Sequence, residues 1–526
     1  MNLRRRAGGA ATRWPLERST NLTLGMAGPA PVIMSRLRHR DRLLSLKYST
    51  IEACFSVPML NLTLPNFPFV VAFAVKALGW QAGAVGFLAA LPHLCNCLQP
   101  VLLHLLSRRL SAYEVLVVTF SLGALPWGLA GFLPWIEKRD AVFTAMVLVG
   151  TLASSISSVA WSSAIAQLVP ERISGKYFGR RNLIFGSWTL VAVLFAGHAA
   201  DRGGNALATF GWIFGLAALS RMLGLLFLTR MKFPAAVMER HTQGVGISAL
   251  LAVLRDRNYM RLAAFIGLWG VFLNSAMPFY TVYLVDKLHL GVGGVVRLTT
   301  LASLGGLLTL RAWGRLCDRF GNRPVLQVCV TIWALAALVM WSLVGPKWNW
   351  HLYAGYLVVG AMTAGFQLCQ FNLMVKLAPA ELRAAYVAIF LAATSLLTAA
   401  GPILGGRILL SLPERAGEFL GQPILNFHVV FILAAVSGLV CSHLIARVHE
   451  PAEQPVEDVW REMKTMRSFN PMLSVLSVGE LLLTPRGLLS LTRRSWRLVR
   501  RQVKALEDVG EEIVDGGRDV IRKTLE

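Results

Sequence analysis

The sequence predicts an all-α polytopic membrane protein, with twelve transmembrane helices arranged as two pseudo-symmetric six-helix bundles. Three observations predict it: the composition, the length of the apolar runs, and an internal repeat. Of the 526 residues, 55% are apolar and only 15% are Asp, Glu, Lys or Arg, with a mean hydropathy of +0.55. Soluble domains carry about a quarter charged residues, so most of this chain needs lipid as its solvent. The same figures exclude a disordered chain and a small disulfide-stapled domain.

A span needs about 20 predominantly apolar residues. Twelve runs qualify, over 50–75, 82–106, 113–135, 141–168, 178–200, 207–229, 260–285, 293–311, 324–345, 351–377, 385–410 and 424–446. They are too long and too uniformly apolar for barrel strands, which are about 10 residues of alternating polarity. The longest polar insertion, 230–259, divides the spans six and six. The expected organisation is a basic extension (1–49), a first bundle (50–229), a central loop (230–259), a second bundle (260–446) and a tail (447–526).

The repeat is seen in three places. Leu60-Asn61-x-x-x-Pro65 in span one returns as Leu273-Asn274-x-x-x-Pro278 in span seven, 213 residues later. Pro170 and Tyr177 after span four return as Pro379 and Tyr386 after span ten, offset by 209. Ala217-Ala218-Leu219-Ser220 in span six returns as Ala434-Ala435-Val436-Ser437 in span twelve, offset by 217. Three matches in order at a nearly constant offset indicate two homologous halves.

The net charge of +24 could suggest nucleic acid, but its placement follows membrane topology instead. Loops after even-numbered spans hold twice the Lys/Arg of loops after odd-numbered ones, and residues 1–49 hold ten Lys/Arg against two acids. Both termini are therefore expected in the cytoplasm of a cell whose inner membrane holds the chain. The first 49 residues show no apolar core before a small-residue cleavage site, so no cleavable signal is expected. The seven cysteines lie mostly in apolar runs and read as small buried residues.

After span eight the chain reads Gly314-Arg-Leu-Cys-Asp318-Arg319-Phe-Gly321-Asn-Arg323-Pro324. This resembles the G-x-x-x-D-R-x-G-x-[RK] signature of the major facilitator superfamily. Glycines let helix ends approach closely, and an Asp there can accept bonds from Arg and from free backbone N–H groups. The resemblance marks Gly314, Asp318, Arg319, Gly321 and Arg323 as a cytoplasmic gate. The corresponding segment of the first half, His104 to Ser111, keeps only the basic residue, Arg109. The loop from Val169 to Asn182 is similar to one common in bacterial members.

The resemblance implies a small-molecule solute bound at mid-membrane between the halves, lined chiefly by spans one, four, seven and ten, and moved by rocking of the halves. Polar and aromatic residues at that depth are the candidates: Asn61 and Asn274, each four residues before a proline; His93 and Asn96 in span two; Ser158 and Trp161 in span four; Gln367 and Gln370 in span ten. Ionisable residues inside a membrane are functional suspects, which adds Arg221 and, nearer the cytoplasm, Glu52. No carboxylate falls at mid-span, which points to a facilitator or exchanger of polar neutral or anionic solutes rather than a carboxylate-driven proton symporter. No cofactor is expected, and no G-x-x-x-x-G-K-[ST] loop occurs, so the chain is no ATPase.

In the tail, Arg493, Arg494, Arg497, Arg500, Arg501 and Lys504 interleave with Trp496, Leu498 and Val503. This pattern reads as an amphipathic helix on anionic lipid headgroups. The chain is expected to act as a monomer without nucleic acid. Two other classes come into question. A membrane-embedded enzyme would need clustered His, Asp and Glu at a membrane face, and none is visible. A solute sensor with a transporter fold but no flux would share all the features above.

Overall fold

A computed structural model of the chain describes residues 39–466, apart from 235–236, 238–246, 346–348, 380–381, 420–421 and 452. The basic block at 493–504 and most of the N-terminal extension lie outside the described residues.

Helices α1 (His39–Thr63) and α2 (Pro68–Lys76) form the first span, bent by 40° across 64–67. Pro65 sits in the bend. Pro68 opens α2 at a position where the missing N–H leaves no helical bond unmade. The first half continues with α3 (Ala82–Ser107), α4 (Ala112–Gly128, tightening to 3-10 turns up to Trp135), α5 (Arg139–Leu168), α6 (Glu171–Arg202) and α7 (Ala206–Thr229). A short α8 (Ile247–Arg255) lies in the link.

The second half comprises α9 (Arg257–Val282, extended by a π-turn over Tyr283–Lys287), α10 (Gly291–Phe320), α11 (Asn322–Leu343), α12 (His351–Lys376), α13 (Arg383–Ser411) and α14 (Asn426–Ser442). Eleven of the described helices are long and apolar enough to cross a membrane, and the bent α1–α2 pair makes twelve. One departure from an all-helical chain is a hairpin of β1 (Arg415–Phe419) and β2 (Gln422–Leu425) between α13 and α14. After α14, an amphipathic helix α15 (Val456–Thr465) returns to the bundle. It lies at the face where α1 begins, here called the terminal face; the opposite one is the far face.

Each half has its own aromatic core. In the first, Phe73 meets Phe143, Phe210 and Phe214 at ring distances of 4.8, 5.6 and 5.5 Å. In the second, Tyr280 stacks on Trp341 at 4.2 Å and meets Phe431 edge-on at 4.6 Å. Within the second half, small residues set the helix spacing. A Cβ at Gly305 or Gly360 would overlap backbone of the facing helix, so α10 and α12 pack backbone to backbone.

The two related inter-helix turns close differently. At α3–α4, Ser111 stands where the repeat would place a glycine. Its hydroxyl accepts from the Glu114 N–H (3.2 Å), and its own N–H donates to the Glu114 carboxylate (2.7 Å), a reciprocal cap for α4. At α10–α11, Gly321 takes φ +94°, a conformation that favours glycine, and lets the chain reverse in one residue.

Candidate functional site

The halves meet at the far face. Gly83 and Gly86 of α3 lie against Pro402, Gly406 and Leu410 of α13. Gly197 of α6 lies against Gly293 of α10, with 3.1 Å from its Cβ position to the Gly293 Cα. Beside it, the Asp201 carboxylate accepts from the backbone N–H groups of Val292 (2.6 Å) and Gly293 (2.9 Å). Among the described residues, no hydrogen bond, ion pair or glycine contact joins the halves at the terminal face. The glycine and Asp201 contacts close the path between the halves at the far face.

Midway, polar side chains of both halves meet. His93 lies eleven residues into α3, about 16 Å from its start. Its Nε2 is buried with no hydrogen-bond partner among the described residues, and the Asn274 side chain of α9 lies beside the ring. Asn274 Nδ2 donates to the Gly270 carbonyl at 2.9 Å, and Asn61 Nδ2 donates to the Val57 carbonyl at 3.0 Å. The repeat is thus reproduced at the level of one bond, each asparagine bonding one turn back. The Asn274 amide also meets the His93 ring, while the Asn61 amide oxygen accepts nothing among the described residues.

Asn96 and Gln370 are half-buried, Gln367 is exposed, and none of the three bonds to a described residue. Ser158 is exposed, its hydroxyl donating to the Ser155 carbonyl at 2.9 Å. Trp161 is half-buried, with the Arg181 guanidinium 4.3 Å from its ring centre.

Arg221, expected in the cavity, is instead sealed inside the first half at 2% exposure. Its guanidinium lies 4.1 Å from the Phe120 ring, donates to the Phe120 carbonyl (3.4 Å) and reaches the Ser157 hydroxyl (3.3 Å). Gly123 leaves the room: a Cβ there would stand 3.5 Å from the guanidinium. Glu52 is also buried, and its nearest cation is Arg181 of α6 at 3.6 Å, with Ser56 and Trp161 close by. In the sequence Arg181 reads only as part of a basic loop, but α6 starts early enough to carry it into the bundle. Two guanidinium groups and one carboxylate leave this cluster with a net positive charge.

At the terminal face the residues of the loop signature divide. Gly314 has open space at its Cβ position, and Asp318 is exposed without a described partner. The basic residues are held by the segment after α14. Arg319 pairs with Glu462 at 2.9 Å and Arg323 with Glu453 at 2.9 Å. Glu450, fully buried, accepts from Asn322 Nδ2 (2.9 Å), Arg323 N (2.7 Å) and Lys376 Nζ (2.7 Å). Gly321 passes close above it, with 3.2 Å from its Cβ position to the Glu450 carboxylate. Burial pushes the Glu450 carboxyl up, but Lys376, the Arg323 N–H and Asn322 outweigh it and hold the group below the ordinary carboxylate range. The sequence shows an acidic stretch here but not its target. The available signal was the spacing of Val456, Val459 and Met463, an apolar face on a short helix.

A twelve-span bundle of two related halves is an architecture found in secondary transporters. The chain matches the family described as Major Facilitator Superfamily over residues 274–504. The matched segment takes in most of the second half and runs into the tail. Among solved structures, it is similar to a mutant form of the nucleoside transporter NupG, at TM-score 0.60 and 16% identity over 78% of this chain and 100% of the other. It is also similar to a bacterial homologue of the human lysosomal transporter Spinster in an inward-facing, unoccupied conformation (TM-score 0.58, 13% identity, 79% of this chain and 100% of the other). A third is the inward-open xylose transporter XylE from E. coli (TM-score 0.54, 14% identity, 80% and 98%). No curated protein matches the chain.

Proposed function

We propose that this transporter carries a small polar solute, neutral or anionic, bound between His93 and Asn274 at mid-membrane. The observation that carries this is the His93 Nε2, buried without a partner beside an amide of the opposite half. A solute hydroxyl, amide or carboxylate between them would satisfy the ring and bridge both halves, and it would be released when they rock. Asn61, Asn96, Ser158, Trp161, Gln367 and Gln370 are assigned to the same cavity. The Arg181–Glu52–Arg221 cluster in the wall favours anionic over cationic solutes through its net charge.

The terminal face is assigned to the cytoplasm on the loop charges, so the conformation is inward-open in an inner membrane. Gly314, Asp318, Arg319, Gly321 and Arg323 form the inner gate. The block 493–504 binds anionic headgroups, and the chain works as a monomer. A thermal-shift screen of the purified protein against sugars, nucleosides, amino acids, organic anions and lipophilic cations tests the solute class. Polar neutral or anionic compounds should stabilise the protein, and His93→Ala should remove that shift. Stabilisation by lipophilic cations alone would contradict the assignment.

Coupling follows from the same placement. Glu52 is the buried carboxylate of the first span, and it is engaged by Arg181 rather than turned to His93. Solute uptake into vesicles clamped at zero potential should not respond to an imposed pH gradient. Gradient-driven accumulation lost in Glu52→Gln would instead identify Glu52 as a proton site.

A further inference from the structure

We propose that Asp201 is the latch of the outer gate, a positioning residue that holds α10 of the second half against α6 of the first while the protein is inward-open. This rests on the proposed orientation, in which the far face is extracellular.

The Asp201 bonds to Val292 and Gly293 join the two halves at the far face. They run from a carboxylate to two successive N–H groups at the start of a thirty-residue helix, where those groups have no helical partner and the helix end is partly positive. The local backbone is shaped to aim them. After the π-turn at Tyr283–Lys287 the chain turns through His289 (φ +53°) and Gly291 (φ +69°). A left-handed conformation is ordinary for glycine but costs energy at His289. That cost is offset by a turn that points the helix end across the seam.

The contact also needs its glycines. A Cβ at Gly293 would stand 2.6 Å from Asp201 Oδ2 and 3.3 Å from the Gly197 backbone. The latch therefore sits in a seam that closes only without side chains. Directly outside it lies a hollow of about 520 Å³ lined by Lys76 and Asp201 from the first half and Asp286 and His289 from the second. Asp201 is exposed to this hollow. Water competes for such bonds, so the latch is weak enough to be released in every transport cycle. A residue buried deep in either half could not act this way.

The test uses the full-length protein in membranes and needs no knowledge of the solute. Val296, buried against Gly197, is replaced by Cys as a reporter, and labelling by a membrane-impermeant maleimide is compared with the chain lacking the reporter. In right-side-out vesicles, Asp201→Asn should raise the labelling rate about tenfold, the factor given by about 1.4 kcal/mol of lost closed-state preference. Membrane content and melting temperature should stay near wild type. Gly293→Ala attacks the same contact from the other half and carries the test if Asp201→Asn does not reach the membrane. A rise seen only in inside-out vesicles would uphold the latch and reverse the orientation. Labelling within twofold of the parent from both sides would overturn the latch.

Discussion

His93 and Asn274 come from opposite halves and neither has a partner that accounts for its full hydrogen-bonding capacity. Replacing His93 by Ala should weaken solute binding about tenfold, the worth of one hydrogen bond of about 1.4 kcal/mol. Titration of the purified variant with the solute found by screening would show it, and unchanged affinity would remove His93 from the site. Asp318 is a different case. It is exposed with no partner among the described residues, so the proposed gate role requires a state in which the terminal ends of the halves come together. Asp318→Asn should slow transport while leaving the melting temperature within about 1 °C, because it breaks no contact present here. The repeat singled out Asn274 and the loop signature Asp318, while His93 stood out only as an ionisable residue in an apolar run. Arg181 did not stand out: a basic residue near a span end reads as a loop charge until the helix start is known. Arg221 stands out in the sequence but reads as a cavity residue, because nothing there shows that Phe120, Gly123 and Ser157 close around it.

The helices themselves were readable from twenty-residue apolar runs, since a membrane leaves few other structures available. Elements whose purpose is to hold other elements were harder. Helix α15 has only ten residues, and Arg323, which the segment leading into it holds through Glu450 and Glu453, lies 127 and 130 residues earlier in the chain. Glu450→Ala should leave Lys376, Asn322 and the Arg323 N–H without their acceptor and cost about 1–3 kcal/mol locally. Amide exchange over 453–465 would speed up while the spans stay protected. The pH dependence has a definite sign. Glu450 has its carboxyl lowered in the folded state, so its hold is complete above the ordinary Glu value of about 4.3 and is lost as pH falls through the depressed value. Protection of α15 amides, as the exchange rate relative to that of the unfolded chain at each pH, should be steady from about pH 7 to 5 and fall only in stronger acid, with that fall absent in Glu450→Gln. In the first half, the turn that lost its signature has its own closure, the Ser111–Glu114 cap. A degenerate motif there therefore does not mean an unsupported turn.

At the scale of the whole molecule, two halves are joined at the far face by glycines and Asp201. The twelve-span order and the two-fold repeat were both visible in the sequence. The conformation was not, because the same sequence must form both an inward-open and an outward-open state of similar energy. Orientation is testable directly: single cysteines at 240 and 515 should resist a membrane-impermeant maleimide applied to intact cells, and labelling of either would place that segment outside. The central claim is that this chain moves a polar solute by alternating access. The most direct measurement is counterflow in proteoliposomes, using the compound that gives the largest thermal shift. Vesicles preloaded with unlabelled compound should transiently accumulate the labelled form above equilibrium, with accumulation reduced in His93→Ala and in Asp318→Asn. Tight binding of that compound with no counterflow in the wild-type protein would contradict transport and leave a sensor with a transporter fold.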